Sequence, residues 1–420
     1  MKAREFQGNA QAVQGGWWSA VMLWALAVGF FVQISGKVWL VSGSGRNAQI
    51  YLWLLLPALI FSVYKLVTRK GPKPDLYYLP WALFLGWVAL STLWATDSDT
   101  SASSLAKRGL YIGLYLVAIH LLFNRHEVFF RRTLLLGLVM VTLGALASLI
   151  YQYGFLQRPL TYRAFRIDRL GIGDIANYGW PVAAGIFHGA VATWALGVAL
   201  EKRTNLRQAL FWLLCFAVLG LYVLLTYTRG AWIGLIASCA VAVVIHNNRR
   251  SWLLMASGLL ALSIAMFVWW DRLVFEATHR QLSGRGPIWD YFFSSMPGNW
   301  WLGHGLGTPF HYVWPNVKVV SPHAHSLYLQ QIYDSGLISL MLLLTGLMGL
   351  FYKAWTLRSE PWVRLAFPSL IFALITMLTD VERVFTRPGD YWTVFWLPVA
   401  ILLALPLRVK SNALKASSSD

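Results

Sequence analysis

The chain has 420 residues, 57% of them hydrophobic and only 12% charged, with 23 tryptophans and a formal net charge of +18. So apolar a composition excludes an ordinary soluble domain of this length. The basic excess sits in short connections between apolar runs, which marks membrane topology rather than nucleic-acid binding.

Taken in chain order, apolar runs near the ~20 residues needed to cross a bilayer fall at 17–34, 47–67, 77–95, 105–123, 130–153, 176–200, 207–226, 229–246, 252–271, 326–352, 362–380 and 391–408. Each is expected to be a helix, because a lone segment in hydrocarbon has no other way to satisfy its backbone N–H and C=O groups. The fold class is therefore an all-α polytopic membrane protein with about twelve transmembrane helices. It forms a single membrane domain over 1–420, with the first span retained rather than cleaved. No repeat is visible, and Cys215 and Cys239 read as small buried hydrophobes, not a disulfide framework.

Even-numbered connections carry Lys65, Arg69, Lys70 and Lys73, then Arg125, Arg131 and Arg132, then Lys202, Arg203 and Arg207, then Arg249 and Arg250, then Lys353, Arg358 and Arg364. These are positive-inside loops, so both termini are expected in the cytoplasm. Two long connections, at about 154–176 and about 272–325, face the other side, and loops of that length usually carry function.

The first long loop holds Arg158, Arg163, Arg166, Asp168, Arg169 and Asp174. Thr226-Tyr227-Thr228-Arg229-Gly230 then breaks an apolar stretch of about forty residues. At ~1.5 Å per residue that stretch is two crossings, so Arg229 is expected at the outer turn of a helical hairpin. The second long loop, between spans nine and ten, holds Arg272, Arg280, Arg285, Lys318 and five of the nine histidines. Within it, Ser283-Gly284-Arg285-Gly286-Pro287 reads as a helix start, with Pro287 at the first helical position and glycine beside Arg285 open to a ligand.

Arg229 and Arg285 lie on the outer face against the positive-inside bias, one at a turn and one at a helix N-terminus. A guanidinium fork beside free N–H groups suits phosphate; the competing reading is snorkelling to lipid headgroups. His325, in Ser321-Pro322-His323-Ala324-His325-Ser326, has an ordinary pKa near ~6.5 and can accept a proton from a hydroxyl. With a helix starting near 324, Tyr328, Leu329 and Ile332 share its face and Asp334 points elsewhere. A histidine merely capping that helix is the alternative.

Two metal readings carry less weight. His323 and His325 are two apart and do not share a helix face. Asp97-Ser98-Asp99 sits before a helix and reads as capping. Asp380, Glu382, Arg383, Arg387 and Asp390 form a compact outer loop, expected to pair mutually, with Asp390 also a candidate to orient the histidine or an arginine.

These residues resemble the O-antigen ligase and polymerase family of bacterial envelope glycosyltransferases. The resemblance rests on Thr226-Tyr-Thr-Arg229-Gly-Ala-Trp at a hairpin turn; on Gly284-Arg285, then Trp289, then Gly303-His-Gly-Leu-Gly307; and on His325-Ser326 with Gly336 beyond. It covers about 226–340 and departs from the usual pattern at Ser339.

The resemblance implies a C-type glycosyltransferase architecture in the bacterial inner membrane with a periplasmic active site. It implies an undecaprenyl-pyrophosphate-linked glycan as donor, lipid A-core as acceptor, inversion, and neither metal nor cofactor. Within that frame His325 is the base, and Arg229 and Arg285 hold the pyrophosphate. Arg163, Arg166, Arg169, His323, Tyr328 and Asp390 are further substrate-binding candidates.

A ligase is expected before a polymerase, whose two outer loops are often comparable, and before a protein oligosaccharyltransferase, which commonly carries a soluble part after its last span. A transporter is the reading from another class; it would show repeated halves and midplane charges.

Overall fold

The computed structural model describes residues 17–68, 75–280, 284–315, 319–381 and 383–407. Arg69, Lys70, Lys73, Ser283, Lys318 and Glu382, used above, lie outside the described residues. Ten described helices are long and apolar enough to cross a membrane. They are α1 (Trp17–Trp39), then α2 (Gly43–Thr68), α3 (Leu76–Trp94), α4 (Ala102–Arg125), α5 (Glu127–Phe155), α6 (Pro181–Leu200), α7 (Leu206–Leu225), α8 (Arg229–His246) and α9 (Arg249–Val268), and, after the short α10 (Arg285–Ser295), α11 (Leu327–Thr356). The last two expected spans are the shorter apolar helices α12 (Pro361–Thr376) and α13 (Trp392–Ala404). They are short because a turn at Met377–Asp380 ends one and Pro406 follows the other. The result is an all-α polytopic membrane fold, with a single two-residue-strand hairpin, β1 (Tyr312–Val313) and β2 (Val320–Ser321), among the described residues.

Helix α6 is the centre of the bundle, with 89% of its span buried. Small residues make this possible: Gly185, Gly189 and Gly197 let Thr228, Phe372 and Leu365 close onto its backbone. Such close approach is what holds helices together where lipid removes the hydrophobic drive. Helix α9 is the opposite case, with 6% buried. Its ties to the bundle lie at its start, where the Asn248 side chain donates to Leu200 C=O (2.7 Å) and Arg250 to Thr204 C=O (2.7 Å).

Two of the glycine motifs explain each other. Helix α11 starts at Leu327 rather than near 324, and it is broken at Gly336, whose φ of 73° and ψ of 178° only glycine adopts readily. A methyl group on Gly336 would overlap the Trp301 carbonyl. The segment 300–304 lies in that break: Leu337 N–H donates to Trp300 C=O (2.8 Å) and His304 N–H to Tyr333 C=O (2.7 Å). Ser339, the position that departs from the resembled pattern, donates its hydroxyl to Gly336 C=O (2.7 Å), at the break itself.

Candidate active site

The site is assembled at one end of the bundle from four separate stretches. The first is the α7–α8 turn, where Tyr227 has a φ of 50° and Arg229 opens α8 as expected. Arg166 of the first long loop holds this turn: its Nε donates to Thr226 C=O (2.7 Å) and its Nη2 to Thr228 Oγ1 (3.3 Å). Arg229 Nη1 lies 3.4 Å from Glu276 Oε2, in the helical stretch that follows α9.

The second stretch is the start of α10. Arg285 is its first residue, after Gly284 in a left-handed turn with φ 79°. Pro287 is two positions further in than the sequence suggested. The space beside Gly284 is filled by the Trp314 ring, whereas a side chain at Gly286 would meet nothing. Arg285 Nη2 donates to Asp380 Oδ1, and Thr379 Oγ1 donates to Asp380 Oδ2 (2.9 Å). Asp380 also fills the space a methyl group on Gly230 would need, so its carboxylate joins the Arg229 and Arg285 motifs.

The third stretch is 323–326. His325 lies before α11, in a left-handed conformation with φ 50°, so the helical face assumed for Tyr328, Leu329 and Ile332 does not include it. Its N–H donates to His323 Nδ1 (3.3 Å), and the two rings are 4.1 Å apart. Burial lowers the His325 pKa to about 4, helped by His323 and Arg285 and opposed by Asp380. Burial, with Arg383 adding, also lowers His323 to about 4. Both imidazoles are therefore neutral at neutral pH, as an acceptor of protons must be.

The fourth stretch is the loop after α12. Mutual pairing was expected there, but the described pairs reach outward: Asp380 to Arg285, Arg383 to Asp334, and Asp390 to Lys37 and Arg46. Val381, Val384 and Phe385 are buried and anchor the loop, so its charged side chains project to either side. Asp390 therefore orients neither histidine nor either site arginine. It lies 2.7 Å from Lys37 and 3.3 Å from Arg46, beside a cavity of about 240 Å³ lined by those two cations, Asp174, Asn177 and Tyr178. Burial alone would raise the Asp390 pKa, but the two cations outweigh it and hold the carboxyl below its usual range.

The remaining candidates scatter. Tyr328 donates its hydroxyl to Leu374 C=O on α12 (3.1 Å). Arg169 donates from Nε and Nη2 to the neighbouring Asp168 carboxylate (2.9 and 2.8 Å), and Arg163 is half-buried with φ 60°. The acidic pair before α4 does not cap it. Ser98 makes the turn's bonds to Thr100, while Asp97 is left-handed with φ 52°. Among the described residues, no three His, Cys, Asp or Glu side chains come together as metal ligands.

The stretch that holds Arg229, Arg285, His325 and Gly336 matches a family model: residues 214–344 fit the O-antigen ligase family. Over this domain-sized stretch the chain is similar to the O-antigen ligase family. Over 390 residues, with this stretch included, it is similar to an O-antigen ligase of Pseudomonas aeruginosa at 25% identity, which is 93% of this chain and 92% of the relative. Asp380, which ties the domain's two arginine motifs together, falls outside the matched range. Sequence reading placed Asp380 in an ion-paired loop and passed over Glu276. The available signal was an acid set among the arginines of the connecting loops.

Proposed function

We propose that the protein is an inverting glycosyltransferase that ligates a glycan from undecaprenyl pyrophosphate to lipid A-core on the periplasmic face of the inner membrane. A ring nitrogen of His325 takes the proton of an acceptor hydroxyl, and the hydroxyl oxygen attacks the anomeric carbon. The bond from that carbon to the pyrophosphate breaks, and undecaprenyl pyrophosphate leaves. Arg229 and Arg285 bind the pyrophosphate oxygens and offset their growing charge in place of a metal ion.

One observation carries this reading: the Asp380 carboxylate accepts from Arg285, lies against Gly230 beside Arg229, and acts on the charge of His325, three stretches far apart in sequence. A buried neutral imidazole near the Arg285 cation is a weak base, and the donor's negative charge, once bound, raises its pKa toward the working range. Arg166, already committed to Thr226 and Thr228, is assigned to holding the Arg229 turn; Arg163, Arg169 and His323 are left to contact the acceptor or glycan.

The test is transfer from a synthetic undecaprenyl-pyrophosphate glycan to purified lipid A-core, in detergent with EDTA. The expected result is modified lipid A-core in the presence of EDTA. A glycan that extends itself while lipid A-core stays unmodified would make the protein a polymerase. A requirement for added metal would overturn the metal-free mechanism, and no transfer of either kind would return the transporter reading.

A further inference from the structure

Ala324, the neighbour of His325, has both backbone polar groups held by side chains from different elements. Its N–H donates to Gln330 Oε1 in α11 (2.9 Å), and its C=O accepts from Trp289 Nε1 in α10 (3.0 Å). On the other side of His325, Leu327 N–H donates to Met377 C=O at the end of α12 (2.9 Å). Between these anchors, His325 keeps its left-handed φ of 50°.

The Gln330 amide has only one workable orientation. Its Nε2 donates to Asp334 Oδ1 (2.9 Å), and Arg383 holds both oxygens of that carboxylate. Turned over, the amide would set oxygen against carboxylate and N–H against N–H, so the Asp334 charge forces Oε1 toward Ala324. Gln330 is 0% exposed and Asp334 2%, so both bonds are shut off from bulk water. The buried ion pair is thereby connected, through one amide, to the backbone that carries the imidazole.

We propose that Gln330 and Trp289 are positioning residues that fix the His325 imidazole against the acceptor hydroxyl, with Asp334 and Arg383 setting the Gln330 amide. The inference rests on the reading of His325 as the base. Positioned bases lose rate steeply when displaced, by about 10²-fold for a shift on the order of 1 Å. The effect therefore falls on the chemical step and leaves donor binding by Arg229 and Arg285 in place.

The test measures kcat and KM for transfer in Gln330→Leu and Trp289→Phe, which keep volume and ring but delete the bonds, each alone and combined with His325→Ala. The expected result is a loss of about 10²-fold in kcat for Gln330→Leu and about 10-fold for Trp289→Phe, with donor KM within about twofold, and no further loss in the His325→Ala background. Loss of the same factor in both backgrounds, or unchanged kcat in Trp289→Phe, would overturn the positioning role. If Gln330→Leu does not fold, Trp289→Phe decides alone. Near-normal transfer by His325→Ala itself would instead overturn the base reading.

Discussion

Two polar clusters share one end of the bundle, and both offset two cations with buried acid. Around Asp390, one carboxylate bridges Lys37 and Arg46. Around Asp380, each arginine has its own carboxylate, Glu276 for Arg229 and Asp380 for Arg285, and a neutral imidazole stands beside them. Compensation of buried charge is thus common to both. What distinguishes a site from a strut is the unprotonated base beside Asp380 and a separate carboxylate for each arginine.

Substitutions should separate the clusters. A large loss of transfer is expected for Arg285→Ala, about 10²–10³ in kcat, the usual cost of removing one donor to a developing negative charge; Arg285→Lys should recover only part, because an ammonium lacks the two-pronged fork. Gly336→Ala should act on folding first: the left-handed φ and the overlap with Trp301 predict destabilisation above about 2 kcal/mol, read as a drop in the yield of folded protein in detergent. Asp390→Asn should leave Lys37 and Arg46 uncompensated and cost about 2–3 kcal/mol, less than a fully buried pair because the carboxylate is 15% exposed. Transfer per folded molecule should stay within about threefold of wild type. A kcat loss in Asp390→Asn as large as that in Arg285→Ala would erase the distinction between the clusters.

The smallest effect is in pH dependence. The lowered His325 pKa, about 4 in the free protein, keeps the base form through neutral and mildly acidic pH. Acid should therefore lower kcat/KM only below about pH 5, while bound pyrophosphate moves the kcat limb to higher pH. Limbs at the same pH would contradict the expected coupling between donor charge and imidazole.

Much of this was legible in the sequence. Every apolar run became a helix, because hydrocarbon leaves the backbone no other choice. The Thr226–Arg229 break was readable since its flanks are too long for one crossing. What escaped was set by tertiary contact. The left-handed backbone of His325 depends on Gln330, Trp289 and Met377, three elements that no spacing connects. The partners of Asp380, Arg383 and Asp390 lie 95, 49 and 353 residues away, so a loop rich in both signs looked self-sufficient. The break in α11 was hidden inside a continuous apolar run, with Gly336 and Ser339 its only marks.

The central claim is that His325 is the base of a site whose cations bind the donor. The most direct measurement is the single-turnover rate of glycan transfer to lipid A-core by His325→Ala, alongside its affinity for undecaprenyl pyrophosphate. The account predicts a rate lower by about 10²–10⁴ with affinity within about threefold of wild type, because the arginines remain. A rate within about tenfold of wild type, or an affinity lost together with the rate, would contradict it.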